Sequence, residues 1–347
     1  MVKAARYYGP RDIRVEEIDE PAIDSGEVGI RVAAAGICGS DMHWFTEHIS
    51  GSSLEVGTVL GHELSGTVIE VGEGVSKFKL NDRVVIEPLI GCQECRFCRT
   101  GKYHLCPDLA HIGGKYSGGF AEFSKAPHEK VRKLPPSVSL EEASIVDCLA
   151  VGVHAINRVP PKTGDTVAIL GAGTIGLSVM QVARACGART IVIDLLQSSL
   201  ELARKAGASE IIDASTVDVE EAIKAHTSGA GADIVYEAVG GRASTIEQAI
   251  RIVSRGGRIG VIGSFTGVTS FNFFDLLVKE VDLVPIWSYS TCGFRSEFDV
   301  ALDLLSRGLV CANVLITHRV SLDNINQGFE LMERKCESGA GKVLVIP

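Results

Sequence analysis

Two periods of apolar residues divide the chain. Up to about residue 150 the apolar positions come in short β-branched runs, at 28–34 (VGIRVAA), 64–71 (LSGTVIEV) and 83–87 (RVVIE), set between Gly, Asp and Asn. That pattern predicts strands joined by tight turns. From about Val153 the texture changes. A compact apolar strand at 166–170 precedes helical spacing over 176–187, and a second strand, 190–193, ends at Asp194. Helices at 200–206, 219–226 and 246–253 then alternate with strands at 210–212, 233–236 and 258–262. Such alternation predicts a parallel sheet covered by helices on both faces. The C-terminal segment reads as helices at 297–307 and 323–335 and a closing strand at 342–346. No internal repeat or low-complexity tract interrupts the pattern.

Length and charge narrow the class. The chain has 347 residues, which calls for about two domains because single cores stop growing near ~250–300 residues. With 46% hydrophobic and 22% charged residues it is not a disordered chain. The net charge of −9 argues against a nucleic-acid binder, which carries a basic patch or stripe, and suits a protein that handles small molecules. The charged N-terminus, residues 1–18, has no apolar core after it, so no secretory signal is expected. Residues 166–183 lack charge, but they contain Gly171, Gly173 and Gly176 and split into a strand-like and a helix-like run, so no membrane span is expected either. The expected address is cytoplasmic, where disulfides are rare. The 10 cysteines then point to metal or packing.

Four of them, Cys92, Cys95, Cys98 and Cys106, form C-x2-C-x2-C-x7-C. Thiolates two residues apart in a turn can converge on one ion, and four satisfy tetrahedral zinc. The segment between them is polar (Gln93, Glu94, Arg96, Arg99, Lys102) and has little core of its own, so a metal would supply its order. The compartment disfavours disulfides. An iron–sulfur cluster is harder to exclude by spacing, and closed structural zinc is the favoured reading. Cys38, in a Gly-flanked turn after a strand, and His62-Glu63, just before one, form a second, scattered set. Catalytic zinc takes three protein ligands of this kind and keeps one position open. By spacing alone, a buried thiol and a structural histidine explain the pair as well.

Gly171-Ala172-Gly173-Thr174-Ile175-Gly176 is a G-x-G-x-x-G between a predicted strand and a predicted helix, with Asp194 ending the next strand. The glycines would permit a tight turn and close approach to a pyrophosphate seated on the helix N-terminus. Asp194 would accept from the adenosine ribose hydroxyls. Leu195, Leu196, Gln197, Ser198 and Ser199 follow it, with no cation for a 2′-phosphate, which favours NAD. Arg189 and Arg204 are the cations an NADP site would have to recruit.

The run Gly61-His62-Glu63-x2-Gly66-x5-Gly72-x2-Val75 resembles the zinc signature of the medium-chain dehydrogenase/reductase superfamily. The Cys38-Gly39-Ser40 turn 24 positions earlier and the four-cysteine lobe follow that superfamily's order along essentially the whole chain. Cys-Gly-Ser-Asp-Met-His-Trp and Val151-Gly152-Val153-His154-Ala155 look most like the sorbitol (L-iditol) and polyol dehydrogenases. The resemblance implies an α/β protein: a GroES-like, mostly-β catalytic domain (1–151 and 292–347) interrupted by a Rossmann doubly wound domain (152–291). It implies NAD and two zinc ions per subunit, one catalytic and one structural. Cys38 and His62 match catalytic zinc ligands, and Glu63 matches the acid that binds zinc directly or through its water. Asp147 stands where the polyol branch has a glutamate ligand, and Cys148 where a proline is usual. Ser40 and His43 match the hydroxyl and imidazole of the proton relay, and Arg295 resembles a substrate-pocket arginine.

The expected activity is hydride transfer from a secondary alcohol of a polyol or vicinal diol to NAD. L-Threonine 3-dehydrogenase is the alternative, kept open by Asp147, which could face a substrate ammonium. A non-catalytic relative would lack the ligand set, and the presence of Cys38, His62 and Ser40 argues against it. No nucleic-acid or membrane partner is expected. The sorbitol and threonine branches imply a homotetramer, with a dimer possible, and the apolar edge at 281–286 could pair across subunits.

Overall fold

The computed structural model describes residues 1–46 and 54–347. The chain divides into two units, Met1–Asp147 with Ile316–Pro347, and Cys148–Leu315. In the first, the β-branched runs pair into a sheet whose order is Val131–Lys133, Arg83–Ile86, Glu63–Val71, Glu27–Gly36, Lys342–Ile346 and Ile316–Ser321, with Phe123–Pro127 also paired to Glu27–Gly36. A smaller sheet joins Val2–Gly9 to Asp12–Ile18 and Thr58–Val59. The strand Glu27–Gly36 is the hub. It runs antiparallel to Glu63–Val71, with Gly36 opposite Glu63, and antiparallel to Lys342–Ile346, with Gly36 opposite Leu344. Ile30, Leu64, Phe120, Phe329 and Val343 fill the core beside it, all fully buried. Each such side chain stabilises the fold by about 1.5–3 kcal/mol.

The second unit carries a parallel sheet in the order Glu210–Asp213, Arg189–Asp194, Thr166–Leu170, Ala232–Glu237, Val253–Val261, Asp282–Pro285. Its central strands are buried almost throughout, which is why they read as unbroken apolar runs rather than alternations. The order reverses at Thr166–Leu170, which pairs with the next strand on one side and with Ala232–Glu237 on the other. Ligands of open α/β sheets bind outside the carboxyl ends of the strands at such a switch point. The glycine motif follows that strand directly, closed by Gly171 N donating to Ile193 O at 2.9 Å.

Residues 292–315, expected in the first domain, cluster with the second unit. The reason is a buried polar knot. Glu297, at the start of helix Glu297–Ser306, accepts from Asn157 Nδ2 (2.8 Å) and Ser290 N (2.6 Å), and faces His154 Nδ1 at 2.7 Å. Cys311 N donates to Gln181 Oε1 at 2.6 Å. Buried polar groups need their partners, and these partners belong to residues 148–315. The predicted helix at 323–335 is shorter, Ile325–Glu333, preceded by a 3-10 turn. Among the described residues no helix is long and apolar enough to cross a membrane.

Burial pushes the Glu297 carboxyl up, but its bonds to His154 and Asn157 outweigh that and hold it below its ordinary value of 4.5. A depressed carboxylate contributes stability above its unfolded pKa and loses it as pH falls through the folded one. Glu297→Ala should therefore cost roughly 3–5 kcal/mol near neutrality, with the gap to the wild-type protein narrowing below pH 4.5. Denaturant unfolding at pH 7 and pH 4 checks this; a gap that does not narrow in acid contradicts it.

Candidate active site and metal centres

The lobe at Cys92–Cys106 has almost no regular structure: a one-turn helix, Arg96–Arg99, and a 3-10 turn, Tyr103–Leu105. Nevertheless the four sulfurs lie within 4.8 Å of one another. No disulfide joins any of the ten cysteines. Backbone amides are aimed at the sulfurs: Cys95 N donates to Cys92 Sγ (3.3 Å), Cys92 N to Cys106 Sγ (3.3 Å) and Cys98 N to Cys95 Sγ (3.5 Å). The amides of Cys95 and Glu94 bring Cys92 down to about 7, whereas burial pushes Cys98 up to about 12. Amide donors favour thiolates, the form that binds metal. Gly91 is needed for closure, since a Cβ there would meet Cys98 Sγ at 2.6 Å. The donor set fits one tetrahedral zinc.

The second group assembles from three elements. Cys38 follows the hub strand, Glu63 opens the neighbouring strand, and His62 precedes it; one donor atom from each lies within 4.8 Å of the others. Gly36 makes room, because a Cβ there would meet Glu63 Oε2 at 2.2 Å. Burial pushes His62 down, yet the Cys38 sulfur and the Asp41 carboxylate outweigh it and hold the ring well above its ordinary pKa. Surroundings that attract a proton onto an imidazole beside a thiol attract a cation equally, so this donor set also fits zinc.

Three contributors escaped the sequence analysis. Asp41 is buried, accepts from Cys38 N at 2.9 Å through Oδ2 and stands 3.8 Å from His62 Nδ1 through Oδ1. Carboxylates behind metal-binding histidines fix the ring, and its place three residues after Cys38 was the available signal. Lys342 Nζ lies 2.7 Å from both oxygens of Glu63 and 3.1 Å from Ile37 O. Nothing in the sequence distinguished it from a lysine leading an apolar strand. The His111 ring stands edge-on to His62 with centroids 6.3 Å apart, and its Nδ1 is 2.9 Å from Ile112 O. His111, Trp44, Leu54, Thr58 and Lys115 line a cavity of about 1070 Å³ in this unit.

The other expected residues take separate places. Asp147, half-buried in the first turn of helix Val146–Arg158, acts on His62 electrostatically but is not among the three clustered donors. Cys148 is buried. Ser40 is exposed and His43 half-buried, three residues apart on helix Gly39–Thr46, a spacing that places them on one face. Arg295 belongs to the second unit, exposed, with Nη1 3.8 Å from Asp303 Oδ2.

In the glycine motif each glycine has its own reason. Gly171 has φ +98°, a conformation other residues resist; Gly173, at the N-cap of helix Thr174–Ala185, has open space where a Cβ would stand; a Cβ on Gly176 would meet Gly171 O at 1.9 Å. No side chain caps that helix, so its first amides face the open turn, as a pyrophosphate requires. Thr174 and Ile175 begin the helix. Asp194 braces the turn by accepting from Ala172 N (2.6 Å) and Leu196 N (2.8 Å). Beyond it lies a cavity of about 460 Å³ lined by Gly171, Asp194, Leu195, Val239, Thr245 and Arg251. Its far wall rests on the buried Glu237, which accepts from Val239 N (2.9 Å), Gly240 N (2.9 Å) and Thr245 Oγ1 (2.8 Å), a role invisible in the sequence.

Known proteins resemble this chain in sequence and fold. Residues 24–136 match the alcohol dehydrogenase GroES-like domain and residues 174–307 the zinc-binding dehydrogenase family. A sorbitol dehydrogenase of Bacillus subtilis (strain 168) is 35% identical over 100% of this chain and 97% of its own length. An L-threonine 3-dehydrogenase of the same organism is 34% identical over 95% of this chain and 94% of its own length. The crystal structure of 2R,3R-butanediol dehydrogenase from Bacillus subtilis superposes with a TM-score of 0.89 at 31% identity, covering 100% of both chains. The chain belongs to the zinc-type alcohol dehydrogenases of the medium-chain dehydrogenase/reductase superfamily.

Proposed function

We propose that the protein oxidises a secondary alcohol of a polyol or vicinal diol and passes the hydride to NAD. The observation that carries this reading is the convergence of Cys38, His62 and Glu63 within 4.8 Å, in a unit that also holds a cavity of about 1070 Å³. When bound, zinc supplies Lewis-acid polarisation of the substrate oxygen and the nicotinamide supplies the hydride acceptor. Cys38 and His62 would hold the metal, Asp41 orients the His62 ring, and Glu63 completes or tunes the site, with Asp147 acting on His62 from a distance. Ser40 Oγ takes the alcohol proton as its own proton moves on toward His43, a hydroxyl-to-imidazole relay. Arg295 is the proposed anchor for a distal substrate hydroxyl.

The cofactor binds at Gly171, Gly173, Thr174, Ile175 and Gly176, with its ribose hydroxyls on Asp194. NAD is preferred because a 2′-phosphate would face the Asp194 carboxylate. Of the cations near that cavity, Arg251 is already ion-paired with Glu247. The four-cysteine lobe holds the structural zinc, and its need for reduced thiols supports a cytoplasmic address. Self-association rests on Asp282–Pro285, the last strand of its sheet, with the exposed Trp287 close behind it. The threonine reading stays second, on the strength of the similar threonine dehydrogenase and the half-buried Asp147.

Metal analysis should find one zinc in each of the two groups. Cys38→Ser should lose one zinc and turnover while still binding NAD, and Cys95→Ser should lose the other with a lowered Tm. Full activity and unchanged metal in Cys38→Ser would refute the catalytic assignment. A panel of sorbitol, xylitol, 2,3-butanediol and L-threonine should show turnover on the polyols or the diol; threonine as the best substrate by kcat/KM would install the alternative. NAD should exceed NADP in kcat/KM by on the order of 10²–10³, since a like-charge juxtaposition costs several kcal/mol. Asp194→Ala should erase most of that ratio, and equal use of both cofactors by the wild-type protein would sink the NAD assignment.

A further inference from the structure

The least expected feature of the first unit is a lysine sealed in its core. Lys342 is 2% exposed and Glu63 is fully buried, 279 positions apart in the chain. The ammonium sits 2.7 Å from both carboxylate oxygens and donates to Ile37 O at 3.1 Å, so it grips the carboxylate and the backbone leading to Cys38 together. Taking two such charges out of water costs several kcal/mol per ion, and apolar residues of similar volume commonly do as well. Stability alone therefore explains the pair poorly. Position explains it better: an oxygen of the same carboxylate lies within 4.8 Å of the Cys38 sulfur and a His62 nitrogen. Glu63 thus stands between two places for positive charge, one filled by its own chain and the other formed by the cysteine and histidine.

We infer that Lys342 is a positioning residue that shares Glu63 with the catalytic metal, drawing off enough of the carboxylate's charge to keep the metal electrophilic and its open position exchangeable. The inference rests on the zinc reading above. Without Lys342, the Glu63 carboxylate would lose a cation held 2.7 Å from both of its oxygens, and in a low-dielectric interior it would give more of its charge to the metal and bind it harder. A merely structural lysine predicts the reverse, because a loosened site releases its metal faster.

The test compares Lys342→Met, Lys342→Arg and Glu63→Gln in the full-length protein. Three readouts serve: zinc release to a chelator, the ligand-field spectrum after cobalt substitution, and kcat against KM. Lys342→Met should release the catalytic zinc more slowly and lose kcat, each by roughly 10–100-fold, with a shifted cobalt band. Lys342→Arg should restore most of all three, and Glu63→Gln should release zinc faster than the wild-type protein. Zinc release in Lys342→Met that is unchanged or faster overturns the inference. If Lys342→Met does not fold, Glu63→Gln/Lys342→Met removes both charges and should fold and release zinc as Glu63→Gln does. Wild-type zinc release and cobalt spectrum in Glu63→Gln would overturn the inference as well. A wild-type protein that binds zinc only in the lobe would fail the underlying reading; one that fills both groups but ignores these substitutions fails the inference alone.

Discussion

The first unit turns on the register of one strand. Glu27–Gly36 is paired on both sides, and at its carboxyl end Gly36 stands opposite Glu63 on one neighbour and Leu344 on the other. Side chains alternate faces along a strand, so a slip of one residue on either side would turn Glu63 or Lys342 to the wrong face. The register thus brings together residues from near the start, the first quarter and the extreme end of the chain, just where the backbone leaves the sheet at Cys38. Gly36 is the only residue type that fits there, since the Glu63 carboxylate occupies the space of its missing Cβ.

That arrangement concentrates charge where water is scarce. Glu63 and Lys342 neutralise one another, Asp41 is held by the Cys38 amide and faces His62, and His62 is drawn upward by sulfur and carboxylate against its own burial. Each group would be costly alone, and each is tolerated because a neighbour compensates it. A divalent cation among Cys38, His62 and Glu63 would complete that compensation, which would tie the metal chemistry to the strand pairing rather than to any single loop.

The second unit solves a different problem with backbone alone. Its central strands are apolar on both faces, so polar function is confined to the turns at their carboxyl ends. There Asp194 and Glu237 each end a strand, and Asp194 through both oxygens and Glu237 through Oε1 accept from the amides of the turns that follow or adjoin them. They fix the walls of the cavity before any ligand arrives, a form of preorganisation that lowers the ordering cost of binding.

Much of this was legible in the sequence because the signals are local. The G-x-G-x-x-G turn, the alternation of strand and helix beyond residue 153 and the four-cysteine spacing each depend on neighbours within a few residues, where dihedral preference and side-chain reach decide the outcome. The His62-Glu63 pair was legible only through resemblance. Asp41, Lys342, His111 and Glu237 were not read, nor was the clustering of residues 292–315 with the second unit, because partners such as Glu297 and His154 lie 143 positions apart. The sequence by itself determined which segments become strands, helices and cysteine-bearing turns, since those follow from periodicity and local chemistry. Only the tertiary structure decided which charges share a buried site, because burial and Coulomb interactions depend on distance in space and not on distance along the chain.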